Sequence, residues 1–236
     1  MFFRKLRVLS YHNVDDVPAN VKMSGLYVSQ TEFARQMWTL RKLGFRGVTL
    51  TEGVKRLQAG DPGKIVSITF DDGYRDNLRY ALPILQECRF GATCYIVSER
   101  LGSYNEWDAE FLGVQKPLMS AVEIQSWLAG GMEIGSHTRS HPSLDLLPES
   151  EAMDQLVGSR EALAKLSGQP IAHFCYPYGK YNDQTPLLVK GAGYSTATTT
   201  HPGCLGFDDD RYRIPRISIG PRTHTSKLVA KVLLGR

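Results

Sequence analysis

A chain of 236 residues, 42% hydrophobic and 22% charged, is long enough for one globular α/β domain with its own core, and too apolar for a disordered or fibrous protein. Its net charge of +4 is spread without a Lys/Arg block or aromatic-basic interleaving, so no nucleic-acid partner is expected. No run is apolar enough for an integral membrane segment, and the stretch around Arg4, Lys5 and Arg7 lacks the apolar region of a secretory signal, so a cytoplasmic location is expected.

Residues 6–10 read as a first strand ending at Tyr11-His12-Asn13-Val14, followed by a polar loop. Ser29 and Glu32 form a capping-box pattern ahead of Phe33, Met37 and Leu40, and Gly44 closes that helix. A short strand over 45–49, a short helix over 51–58 and a Gly-Asp-Pro-Gly turn lead into the apolar, β-branched strand 65–70. A helix is predicted over 76–87, kinked or restarted at Pro83, and a strand over 92–97. Residues 98–118 show no period and carry Tyr104, Trp107 and Phe111, the pattern of a long functional loop.

A second capping box at Ser120 and Glu123 opens a helix, a short strand follows over 132–135, and a long helix runs from Pro148 to Gly168. Strands over 171–176, 194–199 and 213–219, a helix over 183–192 and an amphipathic stretch over 226–233 complete the chain. Strand then helix, repeated about seven times without a linker or internal repeat, predicts a single domain over 1–236 with parallel wound architecture. A closed or nearly closed barrel is the expected form, with an open doubly wound sheet as the alternative. The four cysteines, Cys88, Cys94, Cys175 and Cys204, form no CxxC pair and are expected as free thiols.

The candidate chemistry lies where predicted strands end: at His12, at Asp71 and Asp72, at His137 and His141, and at Tyr176 to Gly179. In a parallel barrel those ends share one face. Adjacent acids on a strand point to opposite faces unless the chain turns, which Gly73 permits, so two carboxylates with two roles are expected. One strand-end carboxylate and a His-x-x-x-His pair supply an oxygen and two imidazoles, leaving coordination positions open for water and substrate. Such a set suits a catalytic metal whose neighbouring carboxylate accepts a proton.

Thr69-Phe70-Asp71-Asp72-Gly73 and His137-Thr138-Arg139-Ser140-His141, in that order and at those strand ends, resemble the first two signature motifs of the polysaccharide deacetylase family, carbohydrate esterase family 4 with its NodB homology domain. The resemblance spans roughly residues 6–219. It implies a distorted (β/α) barrel of about seven parallel strands and metal-dependent hydrolysis of N-acetyl groups on an amino-sugar polysaccharide or oligosaccharide. Carried over, it makes Asp71 the catalytic base and Asp72, His137 and His141 the ligands of a divalent metal ion, zinc first, with cobalt, nickel, manganese or iron as alternatives. Phe174-Cys175-Tyr176-Pro177-Tyr178-Gly179 resembles the third motif, in which the Tyr178 amide would help hold the oxyanion.

The segments around Tyr11-His12-Asn13-Val14 and Tyr176-Pro177-Tyr178-Gly179 look most like the subgroup acting on poly-β-1,6-N-acetylglucosamine and related exopolysaccharides. Tyr176, Pro177 and Trp107 are the expected substrate contacts on the glycan partner. Two departures stand out: Cys175 occupies the place of an arginine that steadies the base, and no histidine follows the last strand's apolar residues to act as general acid. His12 is the first candidate to replace that acid, then His224 and His201, while His173 reads as structural. Two other functions compete: an amidohydrolase for a small non-glycan C–N bond, and a glycan-binding pseudoenzyme.

Overall fold

The computed structural model describes residues 4–235. In chain order it holds β1 (Arg7–Tyr11), β2 (Asn13–Val14), β3 (Tyr27–Val28), α1 (Gln30–Lys42), β4 (Arg46–Val48), α2 (Leu50–Gln58), β5 (Ile65–Phe70), α3 (Leu82–Cys88), β6 (Thr93–Ile96) and α4 (Ala109–Leu112). The second half adds α5 (Ala121–Ala129), β7 (Glu133–Ser136), α6 (Glu149–Ser167), β8 (His173–Cys175), α7 (Thr185–Gly191), β9 (Thr196–Pro202), β10 (Ile214–Ser218) and α8 (Thr225–Leu234).

Seven parallel strands close on themselves in the order β1-β10-β9-β8-β7-β6-β5 and back to β1. The closing seam runs from Arg7↔Val66 to Tyr11↔Phe70, which rules out the open doubly wound sheet. Both seam strands are buried along their whole length, because side chains on one face fill the barrel and those on the other meet helices. On the outer side, Phe70 meets Trp127 edge-on at 5.8 Å, and Tyr11 meets Phe33 in the same way at 5.3 Å. β4 lies along the N-terminal half of β5 (Arg46↔Ile65 to Val48↔Ser67), and β6 takes over that edge from Thr69↔Thr93 onward. This hand-over is where the barrel departs from regularity.

The caps that punctuate the sequence form as read. Ser29 accepts from the Glu32 N–H, and Ser120 and Glu123 make a reciprocal capping box. Pro83 sits in the first turn of α3, where no donor is required, and a π-helical turn over Asn77–Ala81 precedes it. Two predicted loops are more ordered than their sequences suggest. The polar stretch after β1 includes the β2–β3 pair, and residues 98–118 contain α4 and are tied down through Tyr74↔Leu118 and Tyr104↔Pro117 bridges. All four cysteines are free. Among the described residues no helix is long and apolar enough to cross a membrane.

Candidate active site

The strand carrying the two acids ends in a turn that separates them. The Asp71 N–H still donates to the Tyr11 carbonyl at 3.0 Å, continuing the β1–β5 ladder. Asp72 and Gly73 then both adopt left-handed backbone, at φ 72° and 78°. For Asp72 that conformation costs about 1 kcal/mol or more. Thr138, His141 and Tyr178 are left-handed as well, so four of the five described non-glycine residues with positive φ stand around this one site.

Beyond the turn, Asp72 Oδ1 lies 3.3 Å from His137 Nε2 and 3.4 Å from His141 Nε2, and the two imidazole nitrogens are 3.2 Å apart. All three residues are buried, and their ligand atoms lie within 4.8 Å of one another. His137 Nδ1 donates to the Cys175 carbonyl at 2.7 Å, which fixes the tautomer and leaves the Nε2 lone pair facing Asp72 and His141. Burial lowers the pKa of His141 and favours its neutral, ligating form. Burial alone would raise the Asp72 carboxyl, but the adjoining imidazoles of His137 and His141 hold it well below the usual range. One anionic oxygen and two imidazoles converging from separate strand ends fit a divalent cation with open positions. Trp107 stacks on the His141 ring at 4.5 Å and 22°, and Tyr178 meets it edge-on at 4.7 Å, so that imidazole is held between two aromatic rings.

Asp71 faces the barrel interior. The fully buried Arg216 of β10 grips it through Nη1 to Oδ1 and Nη2 to Oδ2, both at 2.7 Å, and also donates from Nε to the Thr199 carbonyl at 2.8 Å. Burial pushes the Asp71 carboxyl up, and the guanidinium charge overcomes this and keeps its pKa lowered. Cys175, expected where an arginine would steady the base, leaves no such charge itself, but a guanidinium is present. The Cys175 thiol lies 3.3 Å from Arg216 Nη2, so a guanidinium from another strand fills the space the shorter side chain leaves. The sequence carries a signal for this, a lone arginine inside the apolar run Ile214 to Ile219.

His12 Nε2 is 3.6 Å from Asp71 Oδ2, on the rim of the same cavity. His201 instead meets Tyr181, and His224 stands at the start of α8; neither lines the cavity. His173 is engaged on the far rim with Thr196 at 2.7 Å and Thr51 at 2.8 Å. In the third motif, Pro177 is buried inside a 3₁₀ turn, Pro177–Gly179, and does not reach the cavity, whereas Tyr176, Tyr178 and Gly179 do. The Tyr176 hydroxyl donates to the Tyr212 carbonyl at 2.9 Å.

The cavity measures about 430 Å³ and joins Asp71, Asp72, His12, His137 and His141 to an apolar mouth that includes Met23, Leu26, Phe111 and Ile219. Asp108, which sequence reasoning missed, lines it too. Burial and then the charge of Asp72 push its carboxyl up to about 7. The two loops forming this wall are joined by the Lys22 N–H donating to Leu112 O at 3.0 Å and by Lys116 bridging Asp15 and Asp76.

The family profile described as Polysaccharide deacetylase matches residues 58–197. A poly-beta-1,6-N-acetyl-D-glucosamine N-deacetylase of Staphylococcus epidermidis is 28% identical over 201 residues, covering 81% of this chain and 68% of that protein. The crystal structure of BC0361, a polysaccharide deacetylase from Bacillus cereus, superposes with a TM-score of 0.82 at 28% identity over 98% of this chain and 70% of that one. IcaB from Ammonifex degensii shares the fold at a TM-score of 0.80 and 24% identity, with 97% of each chain covered.

Proposed function

The chain belongs to the polysaccharide deacetylase family, and from that premise we propose that it is a metal-dependent hydrolase removing N-acetyl groups from a β-1,6-linked N-acetylglucosamine polymer or its oligomers. The observation that carries this reading is the pairing of an Arg216-held carboxylate, Asp71, with the Asp72–His137–His141 set in one cavity. The linkage is taken from the Staphylococcus epidermidis relative, whose name specifies poly-beta-1,6-N-acetyl-D-glucosamine.

A divalent cation held by Asp72, His137 and His141, zinc being the first choice, would supply a Lewis acid for the acetamide oxygen and acidify a water. Asp71 is the base that accepts the proton of the attacking water; kept ionised by Arg216, it is ready to do so at neutral pH. The Tyr178 backbone amide, on a turn strained to φ 60°, is the oxyanion donor. His12, beside Asp71, is the acid that gives its proton to the departing amine, and the proton Asp71 took from water passes to His12 to restore both groups. Tyr176 shapes the cavity floor, and Trp107 acts through His141 by fixing its ring.

An arginine missing from the third motif favours a binding module; Arg216 removes that ground, so the hydrolase is the better reading. The test is acetate release from β-1,6- and β-1,4-linked N-acetylglucosamine oligomers, with protein as isolated, after chelation and after return of single divalent metals. Acetate should disappear with chelator and return with metal. Asp71→Asn should lose at least about a thousandfold in kcat while binding metal as the parent does. Retained turnover would remove Asp71 from the role of base.

A further inference from the structure

The three carboxylates of the cavity are not alike. Asp71 is paired with Arg216 and Asp72 faces two imidazoles, whereas Asp108 has no cationic partner among the described residues. It stands at the N-cap position of α4 without capping that helix. Its Oδ1 instead accepts from Asn105 Nδ2 at 2.9 Å. Asn105 is fully buried and its Oδ1 accepts from the Lys116 N–H at 2.6 Å, so the carboxylate rests on a fixed clamp. One helical turn onward, Phe111 is 65% exposed yet lines the same cavity. An exposed ring covers the C–H face of a pyranose, and an anion lacking a counter-charge beside it suits a positively charged donor on that sugar.

We propose that Asp108 and Phe111 form a subsite for an amino-sugar unit whose amine is already free, so that this protein acts preferentially on partly deacetylated glycan. The deacetylase reading supplies the origin of such units, since each turnover leaves an ammonium on the chain, and the proposal rests on that reading for its substrate class.

The test compares β-1,6-linked N-acetylglucosamine hexamers, fully acetylated or carrying one free amine, in metal-loaded protein. The parent should show kcat/KM about tenfold higher on the amine-bearing hexamer, expressed mainly in KM. In Asp108→Asn, which preserves shape and an acceptor for Asn105, the ratio should fall to about one, and Phe111→Ala should raise KM for both hexamers. A ratio near one in the parent, or one unchanged in Asp108→Asn, overturns the subsite. Binding of the two hexamers to Asp71→Asn and to Asp71→Asn/Asp108→Asn decides the matter without turnover. Absence of acetate from both hexamers would overturn the deacetylase reading, while tighter binding of the amine-bearing hexamer that depends on Asp108 would still uphold the subsite. Equal binding of the two would overturn it.

Discussion

Arg216 is the residue on which Asp71, the proposed base, depends, and its removal should have two separable effects. It is fully buried and makes two parallel hydrogen bonds to Asp71, so Arg216→Met leaves a carboxylate without its counter-charge in the barrel interior. Breaking one side of such a pair costs about 3–5 kcal/mol. Denaturant unfolding should therefore show a large loss for Arg216→Met and a clearly smaller one for Arg216→Met/Asp71→Asn, because the second change removes the unpaired charge. Simple additivity of the two substitutions would mean that the pair does not act as a unit. Arg216→Lys cannot reproduce the bidentate grip and should retain fold better than it retains kcat. At this scale the sequence was legible where function concentrates in short motifs: Asp71, Asp72, His137, His141 and His12 do converge. Arg216 left only a faint mark, one arginine in an otherwise largely apolar strand, and Asp108 left none, because neither belongs to a motif and the contact of each with its site is made across the closed barrel or from a loop.

Among the elements, the turn Pro177–Gly179 is the most constrained. Gly179 has φ 69°, and a Cβ there would come within 2.0 Å of the Thr200 side chain on β9. Gly179→Ala should displace the turn that carries the Tyr178 amide while leaving Asp72, His137 and His141, which lie on other elements, in place. A fall in kcat of about a hundredfold with metal affinity kept within a few-fold is expected from acetate-release kinetics and metal titration. Equal loss of both would show that the turn also sets the metal site. The elements themselves were readable because their caps and apolar periods are local: Ser29, Ser120 and Gly168 mark helix ends in both sequence and structure. The β2–β3 pair and α4 were not, since two- and four-residue elements offer too little period and are held by contacts from elsewhere.

For the molecule as a whole, the two rims of the barrel have different work. Opposite the cavity, first residues of four strands meet in one polar network: Thr93, Glu133, His173 and Thr196, joined by Thr51 of α2. Burial would raise the Glu133 carboxyl, but hydrogen bonding and charge from His173, with help from Thr51 and Thr93, bring it down to about 2. A carboxyl whose folded pKa is depressed gives stability that is complete above its unfolded value, about 4.3, and disappears as pH falls toward about 2. Glu133→Gln should therefore be less stable than the parent near pH 7, by on the order of 2 kcal/mol, with the gap closing between about pH 4 and 2. A gap independent of pH would assign the loss to packing instead. Closure itself depends on β1, which is hydrogen-bonded on one side to β5 and on the other to β10. Unzipping that single strand would uncover two parallel edges at once, each a template for another chain, so loosening at β1 is the route by which this barrel would begin to aggregate.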